Sequence, residues 1–392
     1  MPHPLMKNNI LRSDLNKVIA HLKKKDPMLT QHKNVRTFES RWSKWLGVKY
    51  SVFVNSGASA NYITLKILSE LKPGTEVIVS PLNWISDISS IIMFGLKPIF
   101  ADVNPKNLCL DFDLVKKKIT PKTSAILLTH IQGFNGLSKD FLDLIKKNKI
   151  FLIEDVCESH GAKFNNKKLG TFGWISNFSF YYAHHLSTIE GGMICTNDIK
   201  IYEIARMFRS HGMVREIDNK RIRTNLEKKY PELDKKFIFE YPGFNMRNTE
   251  IGGIIGINQL KRLDANNKRR FDNFKYFLEN LDSRTFYKDF DIKGSCNYAL
   301  LVVLNNNKNK YILRKKLEKI MNANNIEYRR GTAGGGNHLR QPYLKKIYKN
   351  LQPQTFKYTD HFHFFGYYIG NYPSLKKKHI LKITNILNSI NI

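Results

Sequence analysis

The stretch Phe178-Ser179-Phe180-Tyr181-Tyr182-Ala183-His184-His185-Leu186-Ser187-Thr188-Ile189-Glu190-Gly191-Gly192 joins two short apolar runs, 177–182 and 192–196, through a turn that carries adjacent histidines. Similar runs, rich in β-branched residues, recur at 50–55, 76–80, 97–103, 124–130 and 150–155. Together they predict seven short buried strands. Helical stretches separate several of them: 59–70 gathers Ile63, Leu65, Ile67 and Leu68 on one face, and 114–119 turns its lysines outward. Strands alternating with helices predict an α/β fold with a mostly parallel sheet covered on both faces. Beyond Ile201 the pattern changes to a long basic helix, a polar tract at 216–236 and a helical segment at 248–266. From about Lys268, helices mix with strand-like 298–303 and 326–329. The chain is therefore expected to divide into a large domain with an N-terminal arm, 1–267, and a smaller C-terminal α/β domain, 268–392. No internal repeat is evident, and Gly334-Gly335-Gly336 is too short to act as a linker.

With 392 residues and a hydrophobic fraction of 42%, the chain can bury a sizeable core. It has no apolar run long enough to span a bilayer, and its N-terminal region lacks the apolar core of a signal peptide. A cytoplasmic enzyme without membrane insertion is the expectation. Cys109, Cys157, Cys195 and Cys296 have no CxxC spacing, so neither a disulfide framework nor a zinc site is suggested, and no metal is expected. The formal charge of +31 and tracts such as Lys23-Lys24-Lys25, Lys116-Lys117-Lys118 and Lys376-Lys377-Lys378 invite a nucleic-acid reading. The lysines, however, are spread over the whole chain among many Asn and Ile, as compositional bias and solvated helix faces produce. No nucleic-acid partner is expected, although the field could steer an anionic small molecule.

Three strand ends carry chemistry. In Asn55-Ser56-Gly57-Ala58-Ser59 a strand runs through a glycine turn into a helix, where free amides and the helix dipole favour a dianion; an ordinary N-cap is the simpler alternative. Asp155 ends the apolar strand Ile150-Phe151-Leu152-Ile153-Glu154-Asp155, so its carboxylate projects at the sheet's carboxyl edge, where ligands of such folds gather. A buried aspartate there should meet a cation; alternatively it caps a helix. Trp84 follows another strand end and is either a ligand-stacking plane or a core side chain. Arg215 and Arg247 could grip a carboxylate bidentately, though most arginines in so basic a chain lie on the surface. His184 can carry a proton near neutral pH, whereas His185, its neighbour on a turn, is read as structural or surface.

These motifs, in this order, resemble the DegT/DnrJ/EryC1/StrS sugar aminotransferase family of fold-type I pyridoxal phosphate (PLP) enzymes. In that family a lysine five residues after the serine holds the cofactor covalently; five residues after Ser179 stands His184, which lacks a primary amine. The resemblance implies a fold-type I large domain with a seven-stranded, mostly parallel sheet. It assigns Gly57, Ala58, Ser59 and Ser179 to the cofactor phosphate, Trp84 to stacking on the ring and Asp155 to the pyridine nitrogen. Glu158, in Glu154-Asp155-Val156-Cys157-Glu158-Ser159-His160-Gly161, takes the place where a glutamine usually contacts the ring hydroxyl. Pro242-Gly243-Phe244-Asn245-Met246-Arg247-Asn248-Thr249-Glu250 matches a segment whose asparagine, here Asn245, reaches the phosphate of the neighbouring subunit, which implies a homodimer with shared sites. Gly336-Asn337-His338-Leu339-Arg340-Gln341-Pro342 and Tyr368-Ile369-Gly370-Asn371-Tyr372-Pro373 resemble segments of sugar 3-dehydrases.

The missing lysine points, within the resemblance, to 3-dehydratases that start from pyridoxamine phosphate (PMP) and a nucleotide-linked 4-keto-6-deoxy sugar. Such an enzyme expels the C3 hydroxyl, and His184 is the expected proton carrier at an ordinary imidazole pKa of about 6.5. L-glutamate is the expected donor that remakes PMP, with Arg215 and Arg247 as substrate-binding residues. GDP-4-keto-6-deoxy-mannose or a GDP-heptose relative is the expected substrate. Two alternatives stay open: a cluster-containing CDP-4-keto-6-deoxyglucose 3-dehydrase, disfavoured because no cysteine lies between Cys195 and Cys296, and a non-catalytic sugar-nucleotide-binding homologue.

Overall fold

A computed structural model describes residues 2–390. Seven strands build the main sheet: β1 (Tyr50–Val54), β2 (Glu76–Val79), β3 (Lys97–Phe100), β4 (Thr123–Thr129), β5 (Phe151–Asp155), β8 (Ile175–Ser179) and β9 (Gly192–Thr196), in the spatial order β1-β9-β8-β5-β4-β2-β3. A two-residue hairpin, β6 (Lys163–Phe164) and β7 (Lys167–Lys168), interrupts the sequence between β5 and β8. Only β9 runs against its neighbours; the other six strands point one way. All seven expected strands are present, and the largest shift is at β8, which begins and ends earlier than the apolar run 177–182.

Strand alternation sorts the core into layers. Val52, Val54, Ala125, Leu127, Ile153 and Ile175 face the layer that contains the helices Gly57–Leu71, Ile85–Met93 and Ile199–Arg209. Phe53, Ile126, Leu128, Leu152 and Phe178 face the opposite layer, with Lys33–Leu46, Lys139–Lys147 and Leu263–Asn280. The apolar face foreseen at Ile63, Leu65, Ile67 and Leu68 is wholly buried. The three lysine tracts lie on the surface. No helix among the described residues is long and apolar enough to cross a membrane.

The C-terminal part carries a three-stranded antiparallel sheet, ordered β10 (Leu300–Val303), β12 (Gly366–Ile369), β11 (Tyr328–Arg330). The expected helix at 248–266 is two helices, Glu250–Leu260 and Leu263–Asn280, and the second runs through position 267. We propose to keep 1–267 and 268–392 as the two units, with this helix as their connection. The segment after Met1 packs on the C-terminal part: the His3 amide donates to the Asn325 carbonyl, and His3 pairs with Ile326.

Glu250, last residue of the matched motif, explains why that motif holds together. Its buried carboxylate accepts from the amides of His32, Asn34 and Val35 and from Asn34 Nδ2, at 2.7–2.9 Å, and so closes the start of the helix Lys33–Leu46. The four N–H groups at a helix start otherwise lack partners. The two helices lie so close that a Cβ on Gly256 would meet the Phe38 ring at 2.6 Å. Glu250→Ala is predicted to lower stability by about 3 kcal/mol, read as a fall in the urea midpoint; an unchanged midpoint contradicts the capping role.

Candidate active site

Alternation along the parallel strands places the polar ends of β4, β5 and β8 on one face. Thr129, Asp155 and Asn177 stand in register across these strands and face the helices Gly57–Leu71 and Ile85–Met93. Asn61 and Asp87 project from those helices to meet them. Asn61 Nδ2 donates to Asp155 Oδ2 at 3.0 Å and to Asp87 Oδ1 at 2.5 Å, while its Oδ1 accepts from Asn177 Nδ2 at 2.8 Å. The Cys157 amide donates to Asp155 Oδ1 at 2.8 Å. Asp155 is buried, and the Asn61 and Cys157 amides that bond it are uncharged groups. Glu154, one residue earlier, points to the other face, where it receives the amides of Gly170, Phe172 and Gly173 and is a structural anchor.

The phosphate-cradle candidates converge as the motif implies. Ser56 caps the helix Gly57–Leu71 by accepting from the Ser59 amide, and Ser59 Oγ donates to Asn55 Oδ1 at 2.6 Å. The Gly57 and Ala58 amides have no hydrogen-bond partner among the described residues. A Cβ on Gly57 would lie 2.5 Å from the Ser179 Cβ, so only glycine lets this helix start close on the serine. Trp84 is 59% exposed, which rules out the core reading and leaves its indole free at the rim.

Glu158 Oε2 accepts from the Gln132 amide at 2.7 Å. Burial, with Asp155 adding to it, pushes the Glu158 carboxyl up to about 7. Gln132 itself sits at φ 55°, and its Nε2 donates to the Thr332 carbonyl, which ties this side of the site to the loop after β11.

His184 is half-buried in the turn after β8, its ring 5.5 Å from that of Tyr298 and 6.0 Å from that of His160. It lies close enough to feel the Asp155 charge. Burial, with the Arg270 guanidinium acting in the same sense, lowers its pKa to about 4. The expectation of an ordinary value near 6.5 is thereby corrected: in the folded chain this imidazole is a neutral base at pH 7. Nδ1 is buried without a partner, which leaves Nε2 as the accessible nitrogen. His185 is structural: it is buried, and its Nε2 bonds to the Cys296 carbonyl at 3.0 Å.

Three further candidates are exposed, and the backbone of Arg247 pairs with Val54 at the end of β1, just before the phosphate cradle. Arg215 is exposed, donates to the Lys236 carbonyl and lies 5.4 Å over the Phe237 ring. Arg247 and Asn245 are exposed and bonded to each other at 3.1 Å. Sequence reasoning missed Asp87, Asn61, His160 and Arg270. The last two back the histidine turn: His160 packs against both His184 and His185, and Arg270 donates to the carbonyls of Tyr298 and Asn371. His160 lay within the quoted strand-end motif, so a signal for it was on hand.

Residues 9–388 match the model of the DegT/DnrJ/EryC1/StrS aminotransferase family. The chain is similar to the GDP-4-keto-6-deoxy-D-mannose 3-dehydratase of Escherichia coli O55:H7, with 32% identity across 88% of this chain and 89% of that protein. It is likewise similar to the enzyme of the same name from Yersinia pseudotuberculosis, with 31% identity across 92% of each. A solved GDP-4-keto-6-deoxymannose-3-dehydratase with a trapped PLP-glutamate geminal diamine superposes with a TM-score of 0.88 at 28% identity, covering 98% of this chain and 100% of that one.

The raised Glu158 carboxyl has a thermodynamic signature. The native chain keeps a proton that the unfolded chain releases near 4.5, so this contribution to stability is complete below about 4.5 and lost as pH rises through about 7. Glu158→Gln is predicted to flatten the pH dependence over this window, gaining on the order of 2 kcal/mol relative to the parent between pH 4.5 and pH 8. Urea midpoints at the two pH values check this; parallel slopes in the two proteins contradict it.

Proposed function

The chain belongs to the DegT/DnrJ/EryC1/StrS aminotransferase family, and from that premise we propose that it is a PLP/PMP-dependent 3-dehydratase of a nucleotide-linked 4-keto-6-deoxy sugar. The substrate is GDP-4-keto-6-deoxy-mannose or a GDP-heptose relative, and L-glutamate restores the amine; the relatives' names and the glutamate adduct in the solved structure support both. The product is a sugar nucleotide of the class used for dideoxysugars of lipopolysaccharide or capsule. The single observation that carries the reading is an imidazole, His184, in the turn where family members use a lysine.

The residues present fit the cofactor. Gly57 and Ala58 offer free amides beside Ser179 for a phosphate, with Ser59 holding Asn55 and Ser56 in place. Asp155, a buried carboxylate bonded by the neutral amides of Asn61 and Cys157, suits a protonated ring nitrogen. Trp84 offers a stacking plane, and Glu158 stands where the ring hydroxyl would be met. When bound, the cofactor supplies an amine for the keto sugar and a ring able to accept electrons.

His184 works by moving one proton at Nε2. Neutral at pH 7, it begins as the base. Once it has taken a proton, its lowered pKa makes it a stronger acid than a free imidazolium, suited to protonating a departing C3 hydroxyl. With no amine at this position, nothing competes covalently with the sugar for the cofactor. Tyr298 and His160 flank the ring and restrict its motion.

The enzyme acts as a homodimer in the cytoplasm. The apolar side chains of Leu11 at the N-cap, of Leu15, Ile19 and Leu22 on the helix Arg12–Leu22, and of Met28 and Leu29 beyond it are 37–51% exposed, a surface suited to a second copy. Arg215, Asn245 and Arg247, all exposed, then serve the neighbouring subunit's site as grips for carboxylate and phosphate.

Incubation with GDP-, CDP- and dTDP-linked 4-keto-6-deoxy sugars plus PLP and L-glutamate is predicted to remove one oxygen from the GDP sugar, read by mass. Gain of an amino group with oxygen retained makes the chain an aminotransferase instead. His184→Lys is predicted to abolish deoxygenation while creating a borohydride-reducible bond to the cofactor; retained deoxygenation in that variant overturns the proton-carrying role.

A further inference from the structure

Asp87 is the third residue of the helix Ile85–Met93 and is completely buried. Its Oδ1 accepts from Asn61 Nδ2 at 2.5 Å, and Thr129 Oγ1 donates to its Oδ2 at 2.8 Å. The same Asn61 nitrogen donates to Asp155 Oδ2 at 3.0 Å. One NH2 group thus serves two carboxyl groups, and these lie within hydrogen-bonding reach of each other.

Among the described residues no cationic side chain bonds either carboxyl. The helix Gly57–Leu71 contributes Asn61, and β4 contributes Thr129, which also bonds to Asn83 from the turn before Trp84. The loop after β5 contributes Cys157, its thiol pushed far up by burial and then by Asp155. The helix Pro342–Ile347 contributes Tyr343, whose phenol is raised by burial and then by Asp87 itself. The histidine turn contributes His184, neutral at pH 7. Two carboxylates this close in dry surroundings cannot both stay ionised. Asp155 accepts an additional backbone amide, from Cys157, which Asp87 lacks. Asp87 is pushed well above the usual carboxylate range, by burial first and then by the Asp155 charge.

We propose that Asp87 is a positioning residue: as a neutral acid it donates a hydrogen bond to Asp155, fixes that carboxylate's orientation and leaves the pair one negative charge. The proposal rests on the reading of Asp155 as partner of the cofactor's ring nitrogen. A carboxylate that accepts a strong hydrogen bond is a weaker base, so the ring nitrogen keeps its proton. At this spot in the first turn a helix dipole alone would favour an ionised aspartate; the shared burial with Asp155 outweighs it.

The test uses full-length enzyme with 13C-labelled aspartate carboxyls, together with PLP affinity and the pH titration of the PLP absorption band. One aspartate carboxyl is expected to remain in its acid form at pH 7 in the enzyme without added PLP, and to vanish in Asp87→Asn. Asp87→Asn retains a neutral donor and is expected to keep PLP affinity within about twofold, whereas Asp87→Ala loses on the order of tenfold and shifts the spectral transition. Fully ionised aspartates at pH 7, or an Asp87→Asn protein that binds PLP as weakly as Asp87→Ala, overturn the proposal. Should Asp87→Ala not fold, the carboxyl spectrum and the asparagine variant still decide. Asp155→Ala separates the two claims: undiminished PLP affinity there removes Asp155 from the ring nitrogen, while the carboxyl spectrum still reports whether Asp87 holds the proton.

Discussion

A carboxylate buried at the carboxyl end of a parallel strand, answered by neutral groups, is the constraint around which this molecule is arranged. Asp155 can occupy that position because strand alternation turns Thr129, Asp155 and Asn177 toward one helix layer, and because Asn61 bridges the last two. Leaving an ionised group in such a place is costly without a compensating charge. A fold that maintains it is poised for a cationic ligand, and the open amides of Gly57 and Ala58 offer a separate anchor for that ligand's phosphate.

The second constraint lies across the site. His184 is hemmed in by Tyr298 and His160, with the buried Arg270 behind them, so its imidazole is held neutral and primed to accept a proton. The family's chemistry normally relies on an amine in this turn that both tethers the cofactor and moves protons. An imidazole retains only the second task. In the reaction proposed for this chain, elimination of a hydroxyl needs that task and is better served without the tether, so the residue type at position 184 would separate deoxygenation from amino transfer on one scaffold.

Much of this was legible from residues alone, for physical reasons. Strands buried on both faces must be apolar runs, and seven of them stood out. The site's strand-end residues were readable because parallel sheets gather ligands at one edge. The central strand β12 was not read: it is four residues long and the helix Lys357–Phe365 runs directly into it, Gly366 being both the helix cap and the first strand residue. The break at Lys261 and Arg262 was missed because neither Pro nor Gly marks it. Asp87 looks like any acidic residue in a first helical turn until the fold sets it beside Asp155, and Arg270 is one of 64 basic residues until burial singles it out. The depressed pKa of His184 is likewise a property of packing, which composition does not reveal.

The central claim is that the cofactor is held here without a covalent bond, so that one imidazole can ferry the proton. Borohydride treatment of the PLP-loaded, unmutated enzyme followed by intact-protein mass measurement tests it most directly. The account predicts a polypeptide of unchanged mass. A reduced pyridoxyl adduct on any lysine, formed in proportion to bound PLP, would contradict it.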